Sequence, residues 1–367
     1  MGIIRRIMTI IMTVLLMTGC TSPVSISDED VNAWMQGPTK VVVDSIGREV
    51  IIPEKPEHIA TLYATTGHIV AMLDGGSKIV AVNNGLKRDK LLNELVPAIE
   101  SAALTVVSGQ INIETMVDKD VDLAFIPLDM FQDEKQVNQL VKMGIPYIVA
   151  DYQSIEDQIE LVNIIGEVLD AQEEAKAYED FYEKIIGLVD NKLSGVTEKV
   201  DVYHSINEAN CTVEAETLPS DWMRHAGGSN VSIGSALEKD GDKYYTNIEQ
   251  ILLWNPEVIY CNESGVPGYI LSNEQWQQIE AVKNQRVVQL PVGISRWGHK
   301  TSVETPLAIL WVAKDLYPEL FIEVDDFALY QEFYEELFEF DLSQEVYLAI
   351  LSADDMRLSK SLKEVND

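Results

Sequence analysis

Short apolar runs alternate with segments of helical periodicity along most of this chain. Residues 79–82 (IVAV), 123–126 (LAFI) and 258–261 (VIYC) are apolar at successive positions rather than at every second one. Such continuous runs are typical of strands that are buried on both faces of a parallel sheet, with helices covering each face. The pattern therefore predicts an α/β fold with mostly parallel sheets.

Two helical segments interrupt this alternation in the middle of the chain. Apolar residues recur at helical spacing over residues 154–169, and a second helical segment extends to about residue 193. Asp170 is the expected N-cap of the second helix, with Glu173 in capping-box register. At 1.5 Å per residue that helix is ~35 Å long, which is enough to connect two domains. We therefore predict two Rossmann-like lobes joined by a single long backbone helix, with a ligand cleft between the lobes.

The first twenty residues have the pattern of a bacterial lipoprotein signal. Arg5 and Arg6 precede an apolar run at 7–17, and the sequence Leu-Met-Thr-Gly-Cys ends at Cys20. The run is too short for a membrane-spanning helix, which needs ~20 apolar residues. We expect lipid on Cys20, which would tether the protein to the outer face of a membrane; an uncleaved anchor is the alternative. The predicted organisation is a signal peptide at 1–20, a tether at 21–40, an N-terminal lobe at 41–152, a helical connector at 153–193, a C-terminal lobe at 194–320 and a helical extension at 321–367.

Composition limits the kinds of partner. The chain has 27 basic and 60 acidic residues, a formal net charge of −33. Such a surface repels nucleic acid, so a nucleic-acid partner is not expected. Besides Cys20 there are two cysteines, Cys211 and Cys261, which could pair in an oxidising compartment or remain reduced. Neither has the close Cys/His spacing of a metal–thiolate site.

Several stretches resemble one class of transport protein. Residues 48–64 (REVIIPEKPEHIATLYA), 112–126 (NIETMVDKDVDLAFI), 226–230 (AGGSN) and 247–259 (NIEQILLWNPEVI) carry the resemblance. They are similar, in kind and in order, to segments of the helical-backbone class of ABC substrate-binding proteins, which serve iron-siderophores, haem and cobalamin. The resemblance covers roughly residues 41–320. It implies an extracytoplasmic binding protein that delivers a chelated metal compound to the permease subunits of an importer and their ATPase, with no cofactor beyond the cargo.

The resemblance also assigns two surface glutamates. In this class one glutamate on each lobe contacts arginines of the membrane subunits, and Glu114 and Glu249 occupy the matching positions. Each lies at the predicted start of a short helix before a strand. A glutamate near a helix N-terminus is also stabilised by the helix dipole, so a purely structural role is the alternative.

Candidate ligand-binding residues follow the predicted strands. In open α/β sheets, ligands bind beyond the carboxyl ends of the strands. We expect basic side chains there to bind carboxylates or catecholates of the cargo, and aromatic side chains to form flat apolar walls. The candidates are Tyr63, Thr65, Asn84, Gln110, Met130, His204, Trp222, Arg224, Asn262, Arg296, Trp297 and His299. Trp222 is open to two interpretations, a packed core residue or a binding residue. Trp297 is expected to be exposed, because it stands on a loop between Arg296 and Gly298.

Two other functions are open to the same chain. A receptor for a free transition-metal ion such as zinc or manganese would need three or four converging His, Asp or Glu ligands. His204 and His299 both belong to the predicted second lobe, and a histidine-rich loop is missing from the sequence. An enzyme is less consistent with the sequence, because Ser229 lacks the Gly-x-Ser-x-Gly elbow of a nucleophile and no phosphate-binding Gly-Lys-Ser/Thr loop or His-Glu-x-x-His helix occurs.

Overall fold

Strands and helices alternate along the chain in the computed structural model, which describes residues 37–107, 110–241 and 243–358. The strands are β1 (Thr39–Val43), β2 (Glu49–Pro53), β3 (Ile59–Thr61), β4 (Ile79–Val82), β5 (Ala103–Leu104), β6 (Val106–Val107), β7 (Gln110–Ile111), β8 (Leu123–Pro127), β9 (Tyr147–Ala150), β10 (Val200–Ser205), β11 (Cys211–Thr212), β12 (Gly228–Asn230), β13 (Glu238–Asp240), β14 (Lys243–Tyr245), β15 (Val258–Cys261) and β16 (Val287–Gln289). The α-helices are α1 (Ala64–Met72), α2 (Asn84–Lys87), α3 (Lys90–Leu95), α4 (Pro97–Ser101), α5 (Ile113–Asp118), α6 (Leu128–Gln132), α7 (Glu134–Lys142), α8 (Ile155–Leu169), α9 (Gln172–Leu193), α10 (Leu218–His225), α11 (Ile248–Trp254), α12 (Val266–Ser272), α13 (Glu280–Lys283), α14 (Thr305–Leu316), α15 (Asp326–Phe338) and α16 (Gln344–Ser352). Short 3₁₀ turns occur at Gly76–Lys78, Glu274–Trp276 and Pro318–Leu320.

Two parallel sheets form the framework. The first sheet has the strand order β5-β4-β3-β8-β9, and the second has the order β12-β10-β15-β16. Neighbouring strands within each of these two sheets run parallel. Residues 123–126 and 258–261 are fully buried on both faces, as the continuous apolar runs predicted. The predicted fold class, an α/β protein with two parallel sheets and helices between them, is confirmed.

An antiparallel hairpin precedes the first sheet. Strands β1 and β2 pair in the register Val43↔Glu49, around a short turn at residues 44–48. Gly47 has φ +79°, a conformation that glycine adopts without steric cost. The Asp44 carboxylate accepts the backbone N–H groups of Ile46 and Arg48, at 3.2 and 3.0 Å, and so closes the turn.

The two central helices connect the sheets. Helix α8 begins with a capping box formed by Ser154 and Asp157. Helix α9 has 22 residues, so it is ~33 Å long, and it packs against α8, α14 and α15. The expected N-cap of α9 at Asp170 is wrong. Asp170 is left-handed at φ 58° and ends α8 instead, and its carboxylate pairs with Lys40 at 2.7 Å, so α9 starts after Ala171.

Helix α15 packs against α9, α14 and α1, and after helix α16 the chain returns to the segment that follows β4 of the first sheet. The Lys90 N–H donates to the Met356 carbonyl at 3.1 Å, and the Leu358 N–H donates to the Arg88 carbonyl at 2.9 Å. Within the described ranges no helix is long and apolar enough to cross a membrane. The predicted signal peptide, with its lipid-bearing Cys20, lies outside the described residues, as does most of the predicted tether.

Candidate ligand-binding cleft

A cavity of about 610 Å³ opens between the carboxyl-terminal edges of the two sheets. From the first sheet it is lined by residues that follow β3, β8 and β9, and from the second by residues that follow β10 and β16. Its described lining is Tyr63, Pro127, Leu128, Asp129, Gln132, Ala150, Asp151, Tyr152, Gln153, Ile206, Asn207, Cys211, Thr212, Val213, Thr217, Leu218, Pro219, Lys239, Gly241, Lys243, Tyr244, His299 and Lys300. The location agrees with the general rule that open α/β sheets bind ligands beyond their carboxyl edges.

A cluster of hydroxyl groups connects the two sides of this cavity. The Tyr152 hydroxyl donates to the Lys300 carbonyl at 2.6 Å, and it lies 2.5 Å from the Thr65 hydroxyl and 3.2 Å from the Tyr63 hydroxyl. The rings of Tyr63 and Tyr152 are 6.0 Å apart between centroids. Burial raises the pKa of Tyr152 well above its ordinary value, so the group remains a neutral phenol at physiological pH. It therefore acts as a hydrogen-bond donor that connects residue 152, after the first sheet, to residue 300, after the second.

Two histidines lie on the second-sheet side. His299 lines the cavity, and its Nδ1 is 2.8 Å from the Thr301 hydroxyl. His204 is fully buried and its ring packs edge-on against Trp222, with centroids 5.4 Å apart. Burial lowers the pKa of His204 to about 3, and burial followed by the charge of Arg296 lowers the pKa of His299 well below its ordinary value. Both imidazoles are therefore neutral at pH 7.

Close packing explains why the His204 side chain lies behind the residues that line the cavity instead of among them. Gly298, at φ +73°, passes so close to this region that a Cβ there would meet Leu290 at 2.4 Å and the His204 Nε2 at 3.2 Å. The glycine allows the 298–300 segment to cover the imidazole.

A network of charged side chains extends behind Asn207, which lines the cavity. The Arg296 Nη1 donates to the Asn207 Oδ1 at 2.7 Å and to the Glu263 Oε2 at 2.5 Å. The Arg88 Nη2 lies 3.5 Å from the Glu263 Oε1, which joins the segment after β4 to the segment after β15. Burial lowers the pKa of Arg296 to about 10, so the guanidinium stays charged. The network thus connects the first sheet to the second through partly buried ion pairs.

A second buried pair adjoins this network. The Arg357 guanidinium contacts the Asp89 carboxylate, whose side chain is only 1% exposed, and its Nη2 donates to the Gly85 carbonyl at 3.3 Å. The His68 Nε2 is 3.3 Å from the same carboxylate. His68 is therefore a packed histidine with a polar partner.

The structure places the predicted ligand residues in two groups. Tyr63 and His299 line the cavity, and Thr65 lies directly behind Tyr152. The predicted residues outside the described lining are Thr65, Asn84, Gln110, Met130, His204, Trp222, Arg224, Asn262, Arg296 and Trp297. Whether each contacts cargo stays a prediction.

The expected exposure of Trp297 is wrong. Trp297 is fully buried rather than exposed, and it packs edge-on against Tyr330 of α15 at 5.6 Å. Trp222 is also fully buried, within the core beside His204. Both are covered by residues distant in sequence, so they support the wall from behind instead of forming its surface. Arg224 is 63% exposed and pairs with Asp221 on α10, away from the described lining.

Several lining residues were not predicted from the sequence. Tyr152 follows β9, so the strand-end rule that selected Tyr63 would also have found it. Lys239, Lys243 and Tyr244 belong to a small three-stranded sheet with the order β11-β14-β13, outside both parallel sheets. The rule that ligands bind beyond the ends of parallel strands therefore could not identify these residues.

The two predicted docking glutamates have matching environments. Glu114 lies in the first turn of α5, whose N-cap is Asn112, and Glu249 lies in the first turn of α11, whose N-cap is Asn247. Both glutamates are exposed. Each asparagine side chain satisfies a backbone N–H of its helix. The glutamate carboxylates are therefore not needed as caps.

Metal-ligating residues do not converge in the described part of the chain. Over those residues there is no group of three or more His, Cys, Asp or Glu side chains that could hold a metal ion. Cys211 and Cys261 do not form a disulfide. Burial raises the pKa of Cys261 to about 12, which disfavours a thiolate.

Comparison with known proteins places this geometry in a family. The sequence profile of the family described as periplasmic binding protein matches residues 59–292. The molybdate-binding protein MolA of Haemophilus influenzae is 25% identical over 310 residues, covering 78% of this chain and 87% of that protein. The uncharacterised ABC transporter substrate-binding lipoprotein YvrC of Bacillus subtilis is 21% identical over 324 residues, covering 86% and 97%.

Solved structures share the fold. A periplasmic solute-binding protein from Veillonella parvula superposes with a TM-score of 0.73 at 24% identity, covering 87% of this chain and 98% of that one. The structure of H. influenzae MolA bound to molybdate gives a TM-score of 0.74 at 22% identity, covering 83% and 99%.

Proposed function

The chain belongs to the family of periplasmic binding proteins, and from that premise we propose that its cargo is a chelated metal compound such as a ferric siderophore, haem or a corrinoid. As the solute-binding component of an ABC importer, the protein is a binding protein and not an enzyme. In the proposed cycle the cargo enters the cavity between the sheets outside the cytoplasm. The loaded protein then contacts the permease.

The size and lining of the cavity carry this proposal. A volume of about 610 Å³ lies within the range of ~300–1,000 Å³ that is usual for whole organic ligands. Tyr63, Tyr152 and Tyr244 give it aromatic surface, which suits a flat or ring-bearing chelator. A chelate brings its own metal ligands, so the protein needs none.

The alternative of a free transition-metal ion has less support. Such a site needs three or four convergent protein ligands, and the described residues contain no such group. His299 lines the cavity, whereas His204 is buried behind the wall, so these two histidines do not converge on one point in the cavity.

The relative MolA is a molybdate-binding protein whose structure has been solved with molybdate bound. Molybdate is therefore a further cargo to test. A bare oxyanion needs a few hydrogen-bond donors and little aromatic surface. We favour a chelate because tyrosines from both sides face this cavity.

We also propose how the protein is held and how it docks. Lipid on Cys20 would anchor it to the membrane, which the lipoprotein relative YvrC supports. Glu114 and Glu249 would contact arginines of the two membrane subunits, because both are exposed and neither caps its helix. The lobe boundaries given from the sequence remain part of this proposal.

Ligand titration of a cavity variant tests the cargo proposal. Tyr63→Ala removes one aromatic wall, so we expect at least a ten-fold loss of affinity for ferric chelates in a fluorescence-quenching titration. Tyr269→Ala, at an exposed tyrosine outside the described cavity lining, is the matched control and should bind as the wild type does. Unchanged affinity in Tyr63→Ala, or tight binding of molybdate with no binding of any chelate, would contradict the proposal.

A further inference from the structure

We propose that the small sheet β11-β14-β13 selects anionic cargo, with Lys239 as the residue that recognises its negative charge. This inference rests on the proposed function, because it names the class of chelate that the same cavity takes. It predicts chelates with free carboxylate or phenolate oxygens, in preference to cationic ones.

The register of the small sheet places three side chains in one row. Thr212 is directly opposite Tyr244, and Tyr244 is directly opposite Lys239. Residues that are directly opposite on adjacent strands project from the same face of a sheet. All three line the cavity, and Lys239 lies where this cavity adjoins a second one, which Tyr245 also lines. The Tyr244 ring and the Lys239 ammonium are therefore neighbours on the face that borders the cavity, whereas the buried Thr212 hydroxyl donates to the His204 carbonyl at 2.9 Å.

The ammonium of Lys239 is positioned without being neutralised. Its Nζ lies over the Tyr244 ring, 5.4 Å from the centroid. Within the described ranges it has no carboxylate partner, although the chain has 60 acidic and 27 basic residues. Lys243, on the neighbouring strand β14, is by contrast paired with Glu208 at 3.2 Å. A cation–π contact orients an ammonium and leaves its charge available to an anion.

The charges around the cavity are separated by side. Among the described residues that line the cavity, the acidic ones, Asp129 and Asp151, follow strands of the first sheet. The lysines of the lining, Lys239, Lys243 and Lys300, all belong to the second-sheet side. A cargo with an anionic edge would therefore be oriented with that edge toward the small sheet.

Charge reversal at Lys239 tests the inference. The variants are Lys239→Glu and the matched control Lys283→Glu, which makes the same charge change at an exposed lysine on α13 outside the described cavity linings. The probes are ferric citrate, which is anionic, and ferrioxamine B, which is cationic. We expect Lys239→Glu to weaken ferric citrate binding roughly ten-fold at low salt and to leave or strengthen ferrioxamine B binding. The difference should shrink at about 0.5 M salt because the ammonium is exposed to solvent.

The outcomes separate this inference from the proposed function. Equal effects of Lys239→Glu on both probes, no effect on either, or an equal effect of Lys283→Glu would overturn the inference. Binding of ferrioxamine B by the wild type without binding of ferric citrate would overturn it while leaving the proposed function intact. Failure of the wild type to bind either chelate would count against both. As a second variant, Tyr244→Leu removes the ring under the ammonium and should weaken ferric citrate binding in the same direction, with an unchanged melting temperature as the check on folding.

Discussion

Removing the hydroxyl of Tyr152 should loosen the connection between the two sides of the cleft. In the structure this hydroxyl donates to the Lys300 carbonyl at 2.6 Å and is 2.5 Å from the Thr65 hydroxyl. The Tyr152 residue is 7% exposed and Thr65 is fully buried. Tyr152→Phe keeps the ring and its packing, so the change isolates the hydrogen bonds.

The expected loss in the free energy of unfolding follows from the polar groups that the substitution leaves unpaired. A neutral hydrogen bond contributes about 1 kcal/mol net, and a buried polar group left without a partner costs about 1–3 kcal/mol. The substitution Tyr152→Phe would leave the Lys300 carbonyl without this donor and deprive the Thr65 hydroxyl of one contact. We therefore expect the free energy of unfolding to fall by about 2 kcal/mol, measured by urea denaturation at pH 7.

A matched control separates the hydroxyl from the ring. Tyr269 is 53% exposed, and Tyr269→Phe should change the free energy of unfolding by less than about 0.5 kcal/mol. A similarly small change in Tyr152→Phe would refute the assignment of Tyr152 as the hydrogen-bonded link between the sheets.

Three further predictions concern ion pairs, titration and docking. Asp89→Ala leaves a guanidinium buried without its carboxylate, so urea denaturation should show a loss of about 3–5 kcal/mol, and a loss below about 1 kcal/mol would contradict the buried pair. The pKa of His204 is about 3 when folded and near 6.5 when unfolded, so the unfolded state binds the proton and stability falls as the pH drops below 6.5. His204→Gln should flatten this fall by up to about 1.4 kcal/mol per pH unit, and an unchanged pH profile of unfolding would contradict it. Reversing Glu114 and Glu249 to arginine should abolish uptake of cargo by cells without changing its affinity in solution, whereas Glu336→Arg should leave uptake intact; retained uptake in the double variant would exclude the docking role.

The architecture could be predicted from the sequence because the patterns that indicate strands and helices are local. The apolar run at 123–126 is buried on both faces, and the short helices predicted to start at Glu114 and Glu249 are present, capped by Asn112 and Asn247. The start of α9 was misplaced because a local capping pattern was outweighed by a distant contact. Lys40 holds the Asp170 carboxylate from more than a hundred residues away.

The candidate site was harder to predict from the sequence, because most of its walls are formed by contacts between distant segments. The strand-end rule found Tyr63 and His299. It could not show that α15 covers Trp297, since nothing near residue 297 indicates where residues 326–338 pack. Lys239 and Tyr244 were missed for a related reason: they reach the cavity through a small antiparallel sheet whose position depends on its pairing with β11.

Native mass spectrometry with an absorbance spectrum tests the central claim most directly. The chain beginning after Cys20 would be purified from cells supplied with ferric siderophores, haemin and cobalamin, and molybdate would be added in a parallel preparation. We predict a coloured protein that carries one intact metal chelate per chain. A colourless protein that carries only a stoichiometric bare metal ion or molybdate would contradict it.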